Sequence, residues 1–203
     1  VENPTKNLHL VEFNQLALER LKTAIDDALA NGHAFLTMLD DEADLDNKAG
    51  QANSQVNDAH LSSQQALNDI IAFDHVNLAL DRSWGLLSHL NSVISDEPIR
   101  ELHHALLPAL SAYGTAVGQH LPLYQRYQRV VSDQSFFERL EPARQRSLTL
   151  ALQSFELSGV GLAEAQKQQF ATLASELSTL SAKFSDNVLD ATQSYFLPLS
   201  ESQ

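Results

Sequence analysis

The chain has 203 residues, 43% of them apolar, which suffices for a single globular domain with a sizeable core. It contains no cysteine, which excludes disulfides, thiolate metal sites and cysteine nucleophiles, and its seven glycines and six prolines are too few for a turn-rich β protein. With 26 acidic residues against 13 Lys and Arg, the net charge of −13 repels phosphate backbones and anionic lipid and argues against nucleic-acid and membrane partners.

The opening residues Val1–Lys6 have no basic start followed by an apolar run, and no segment approaches the roughly 20 apolar residues of a membrane helix, so a soluble, cytoplasmic protein is expected. Leu18, Leu21, Ile25, Ala28 and Leu29 recur at helical spacing, with Asn14 available as a cap and Asn31-Gly32 as a stop. From 40 to 60 the text changes. Asp40, Asp41, Glu42, Asp44 and Asp46 lead into an Asn, Gln, Ser and Gly mixture with Val56 its one large apolar residue after Leu45, which predicts a flexible acidic and polar loop.

Ser62 followed by Gln65 has the form of a capping box, and the apolar series Leu67, Ile70, Ile71, Leu78, Trp84, Leu87, Leu90 and Ile94 predicts one long helix from Ser63 to Ser95. Asp96 and Pro98 restart the pattern, with Ile99, Leu102, Leu106, Leu110, Tyr113 and Val117 on one face and a kink expected at Pro108. A further helical stretch carries Tyr124 and Tyr127 to Val131, and a shorter helix from near Pro142 carries Leu148, Leu152 and Phe155 into a turn at Ser158-Gly159-Val160-Gly161. Last, Phe170, Leu173, Leu177, Leu180, Phe184 and Val188 form a stripe expected of a helix packed along its whole length. No period-2 alternation competes, so the expected fold is all-α: one domain over residues 1–203, an elongated bundle of about five to six long antiparallel helices.

Few constellations carry chemistry. A calcium loop begun at Asp44 would put Lys48 at its fifth position and Ala49 where glycine is needed. Glu101 to His104 is one Glu-x-x-His, but di-iron bundles need two, and the pair His103-His104 reads as one surface and one half-buried ring. Gly159-Val160-Gly161 has Glu164 at the third glycine position of a dinucleotide loop and no strand before it, and G-x-S-x-G is absent. His89 and Asn91 are polar groups that need partners when buried, and Tyr113, Tyr124 and Tyr127 suit either a helix seam or a peptide-binding wall.

Four phrases stand out: Ser88-His89-Leu90-Asn91-Ser92-Val93, Leu121 to Tyr127, Phe155 to Leu162, and Phe184 to Thr192. In that order they resemble the N-terminal region of the oligopeptidase A-like zinc peptidases of the thimet oligopeptidase family, over about Phe13 to Leu197. The resemblance implies a zinc-dependent parent enzyme that cleaves short peptides in a channel between two helical halves, of which this chain looks like much of one wall. The family's zinc motif, H-E-x-x-H, is not in this chain, because none of its eight histidines is followed by Glu.

No catalytic or metal-binding residue is therefore carried over, and this chain by itself is expected to hold no cofactor and to be inactive. By resemblance its partners are a C-terminal catalytic domain of the same polypeptide and, for the parent, short peptides. His89, Asn91, Tyr113, Tyr124, Asn187 and Asp190 are the candidates for substrate-channel or interdomain contact. The alternative is a stand-alone helical module that binds a protein or peptide without enzymatic activity. A domain lacking its partner half would expose apolar or paired polar residues, on the final helix or on the kinked one.

Overall fold

The computed structural model describes residues 17–52 and 61–198, and among them every regular element is helical. The order is α1 (Leu18–Ala52), α2 (Ser63–Val93), α3 (Glu97–Gly118), α4 (Leu121–Ser132), α5 (Gln134–Phe137), α6 (Pro142–Leu157) and α7 (Glu164–Ser194). The fold is all-α as expected, and its helix count exceeds five to six partly through the single turn of α5, too short to leave a periodic signal.

The first helix runs much further than its sequence suggests. Leu21, Ile25, Ala28 and Leu29 are buried as expected, but Leu36 and Leu39 continue the stripe beyond Asn31-Gly32. Gly32 is a notch, not a stop: a Cβ there would lie 2.5 Å from Tyr113 Cζ, so only glycine lets α1 approach α3 this closely. Residues 40–52 of the expected loop are also helical. Two of the acids that suggested a solvated loop have neighbours from far along the chain, Glu42 on Arg126 and Asp40 beside His120. Residues 53–60 and the expected cap Asn14 lie outside the described residues.

Local chemistry sets the other boundaries. The Ser62 hydroxyl accepts from Gln65 N–H at 3.1 Å, while the Gln65 amide donates to Asp69 Oδ1 at 3.2 Å, so half of the expected capping box forms. Asp96 Oδ1 accepts from Ile99 N–H at 3.1 Å to open α3, and His120 Nδ1 accepts from Leu123 N–H at 3.1 Å to open α4. Pro108 lies inside α3, where it cannot donate to the carbonyl one turn back. Gly159, at φ 83°, takes the left-handed conformation that turns the chain from α6 towards α7.

The core lies among α1, α2, α3, α4 and α6, and Ile25, Leu39, Leu87, Leu123 and Val130 are its most completely enclosed large side chains. Arg126 of α4, only 6% exposed, crosses into α1 and α2: its guanidinium donates to Glu42 Oε2 at 2.7 Å, Asp69 Oδ2 at 2.8 Å and the Pro122 carbonyl at 3.1 Å. The start of α2 is fastened to the same helix, Ser63 Oγ donating to Asp133 Oδ2 at 2.6 Å and Arg129 Nε to the Leu61 carbonyl at 3.1 Å.

The last helix is placed differently. Its 31 residues contribute no buried side chain, and it packs chiefly on α3. The stripe expected to pack along the whole length of α7 instead faces solvent, with Leu173, Leu177, Leu180 and Phe184 all more than half exposed.

Candidate functional site

The polar machinery outside the core gathers where the C-terminal turns of α7 meet the first turns of α3. The α2–α3 turn sets it up: Ser95, at φ 53°, is a non-glycine residue in left-handed conformation, and its hydroxyl accepts from Arg100 Nε at 2.7 Å. So oriented, the Arg100 guanidinium forks onto Asp190, with Nη2 donating to Oδ1 at 2.7 Å and Nη1 to Oδ2 at 3.0 Å. That hydrogen bonding holds the Asp190 carboxyl below its ordinary range. One turn further along α3, His104 Nε2 lies 2.5 Å from Asp186 Oδ2. Ser95, Glu97, Arg100, Glu101 and His104 line an open depression of about 550 Å³ beside this seam.

His103 points the other way and stacks on Trp84 of α2, with ring centroids 4.7 Å apart and planes 17° from parallel. Burial, followed by the neighbouring His104, pushes its pKa down, and its Nδ1 is buried without a hydrogen-bond partner. The two histidines therefore do separate jobs, one against an aromatic ring and one against a carboxylate. Among the described residues no group of three or more His, Asp or Glu side chains is arranged to hold a metal.

The six candidates from the sequence are dispersed over four helices, and no hydrogen bond joins any two of them among the described residues. Tyr113 is buried in the core, donating to Asn77 Oδ1 at 2.6 Å and meeting the His33 ring edge-on at 5.0 Å. Tyr124 is half-buried against Phe155 and accepts from Gln128 Nε2 at 2.9 Å. His89 and Asn187 are exposed, whereas Asn91 is half-buried with its Oδ1 enclosed and unpartnered. Asp190 alone joins the α3–α7 seam. Sequence reasoning missed Arg100, His104 and Asp186 as members of that seam. Their partners lie 82 and 90 residues apart, a separation that leaves no local signal.

Residues 46–167 match the family described as Neurolysin/Thimet oligopeptidase, N-terminal domain. The chain is similar to the Oligopeptidase A of Haemophilus influenzae, 39% identical over 128 residues that cover 63% of this chain and 19% of that protein. It is 41% identical to the Oligopeptidase A of Escherichia coli over 120 residues, covering 59% of this chain and 18% of the relative. A Probable cytosolic oligopeptidase A of Arabidopsis thaliana is 30% identical over 112 residues, 55% of this chain and 16% of that protein. The chain thus spans less than a fifth of the length of these relatives. The match takes in three of the four phrases, at 88–93, 121–127 and 155–162, and leaves 184–192 outside. With well over half its residues matched, the chain belongs to the neurolysin/thimet oligopeptidase N-terminal domain family.

Proposed function

We propose that this chain is the non-catalytic N-terminal domain of a zinc-dependent oligopeptidase, forming one wall of the channel through which short peptides reach the catalytic domain of the same polypeptide. The family match over 46–167 carries this reading, and the small share of each relative's length that the chain spans supports it. The alternative of an independent binding module has no comparable support. A cytoplasmic location is part of the proposal, in keeping with the name of the cytosolic Arabidopsis relative.

The residues present do not fit a zinc site. The one Glu-x-x-His has its histidine committed to Asp186, and no third ligand converges on it among the described residues. No step of peptide hydrolysis is therefore assigned to this chain, and the metal and the water-activating group belong to the catalytic portion.

What this chain contributes is exclusion and shape. A channel wall selects by size only if it resists deformation, and α1, α2 and α4 are braced together by Arg126, Ser63 and Arg129. His89, Asn91, Tyr124, Asn187 and Asp190 are the side chains for peptide or interdomain contact on this reading. Tyr113 is not among them, because its ring lies in the core and its hydroxyl is used by Asn77.

The test is the intact mass of the gene product in its source cells, detected with an antibody against this chain. A species much heavier than 22.4 kDa that hydrolyses a short peptide in a chelator-sensitive manner is expected. A product near 22.4 kDa would overturn the reading in favour of a stand-alone module.

A further inference from the structure

The last helix has three faces of different chemistry. Towards α3 it presents small, half-buried residues, Ala171, Ala174, Ser175, Ser178 and Ala182, ending at Asp186. At about 100° per residue, Leu173, Leu177, Leu180, Phe184 and Val188 lie roughly 150° around the helix from that row. Glu176 and Lys183 fall on a third, polar face, so no charge interrupts the apolar row. Leu173 is 58% exposed, Leu177 66%, Leu180 63% and Phe184 70%, and beyond the helix Tyr195, Phe196 and Leu197 extend the same kind of surface. A continuous apolar strip of this length is more than a soluble monomer ordinarily leaves in water.

The spacing of the row, three or four residues at each step, is that of a helix seated against another helix. Of the possible occupants, a second copy would bring together two chains each of net charge −13, which opposes close pairing. The family match points elsewhere. It ends at 167, in the first turn of α7, so the apolar row begins just past the matched N-terminal domain, and the relatives are more than five times the length of their aligned segments.

We infer that α7 is a two-sided joint: its small-residue face clips onto α3, and its Leu173–Val188 face is the docking surface for an uncharged, apolar helical face of the catalytic portion of the same oligopeptidase. This rests on the domain reading above and adds to it the surface through which the two portions meet. The polar seam fits the arrangement. Arg100–Asp190 and His104–Asp186 fix the rotation of α7 on α3, and so determine which way the apolar row points.

Hydroxyl-radical footprinting read by mass spectrometry tests this on two samples, the gene product purified from its source cells and the 203-residue chain alone. Leu177, Leu180 and Phe184 should be oxidised about five times more slowly in the native product, while Met38, exposed on α1, reacts equally in both. A native product heavier than 22.4 kDa whose stripe is oxidised as fast as in the chain alone overturns the docking surface and leaves the domain reading standing. A native mass near 22.4 kDa overturns both. Protection that disappears on dilution assigns the face to a second copy and overturns the inference. A triple variant, Leu177→Gln, Leu180→Gln and Phe184→Gln, gives a second readout. The isolated chain should melt within roughly 2 °C of wild type, because these residues are outside its core, whereas the native product should lose peptide hydrolysis or solubility. A native product indifferent to the triple change overturns the docking surface.

Discussion

Gly32 and two half-buried histidines show how single residues constrain this bundle. At Gly32 any added carbon meets the Tyr113 ring, and the ring is fixed by Asn77 on one side and His33 on the other. Gly32→Ala should therefore destabilise the chain by about 1–3 kcal/mol, despite alanine's better helix propensity, as read from the urea midpoint. An unchanged or raised midpoint would show that α1 and α3 can part without penalty. The histidines act through pH. Burial depresses the pKa of both His103 and His120 below 6.5, so the folded state favours their neutral forms while the unfolded chain takes up protons more readily. Their contribution is complete above about pH 6.5 and is lost as pH falls below it towards the folded values. The melting temperature should drop by roughly 2–4 °C between pH 7.5 and 5.5, and much of the drop should vanish in the double variant His103→Gln, His120→Asn. Asn is chosen at 120 because it can still cap α4. A drop of the same size in the double variant would place the acid sensitivity elsewhere.

At the level of whole helices, α7 and α2 are both 31 residues long and behave as opposites. Nine side chains of α2 are buried, none of α7 is, and the ion pairs that hold α7 are partly open to water, where such pairs contribute little. In native-state deuterium exchange of this chain, α7 amides should exchange about tenfold or more faster than those of α2. Equal protection would mean that α7 belongs to the cooperative core. The same contrast explains what could be read from sequence. Periodicity located α2, α3, α4, α6 and α7 because an amphipathic stripe forms whether its partner is a neighbouring helix or a surface still to be covered. For that reason it said that Leu173 to Val188 is a face, but not that the face is open. It failed at the end of α1, where Gly32 has the composition of a stop and the geometry of a contact, and where Glu42 meets Arg126 and Asp40 lies beside His120 from far along the chain. The four phrases led to the family, whereas the α3–α7 seam had no local trace.

Across the whole molecule, the long-range ties run mostly in one direction along the chain. Glu42 and Asp69 wait for Arg126, which lies 84 and 57 residues later, and Ser63 at the head of α2 waits for Asp133, 70 residues on. On the ribosome, where synthesis is far slower than helix formation, the α1–α2 hairpin therefore emerges with two carboxylates lacking their cation and with α4's share of the core, Leu123, Tyr127 and Val130, still unmade. Arrest-peptide force profiles should show little pulling on nascent chains in which Arg126 is still inside the exit tunnel, and a sharp rise once Asp133 has cleared it. A rise at the end of α2 would instead mean that the first two helices settle by themselves. Arg126→Met should flatten the rise if the guanidinium triggers closure, and leave it in place if apolar contacts suffice. The buried arginine thus ties the pairing of Glu42 and Asp69 to a late point in synthesis: their common cation is made only when about two thirds of the matched 46–167 segment already exists.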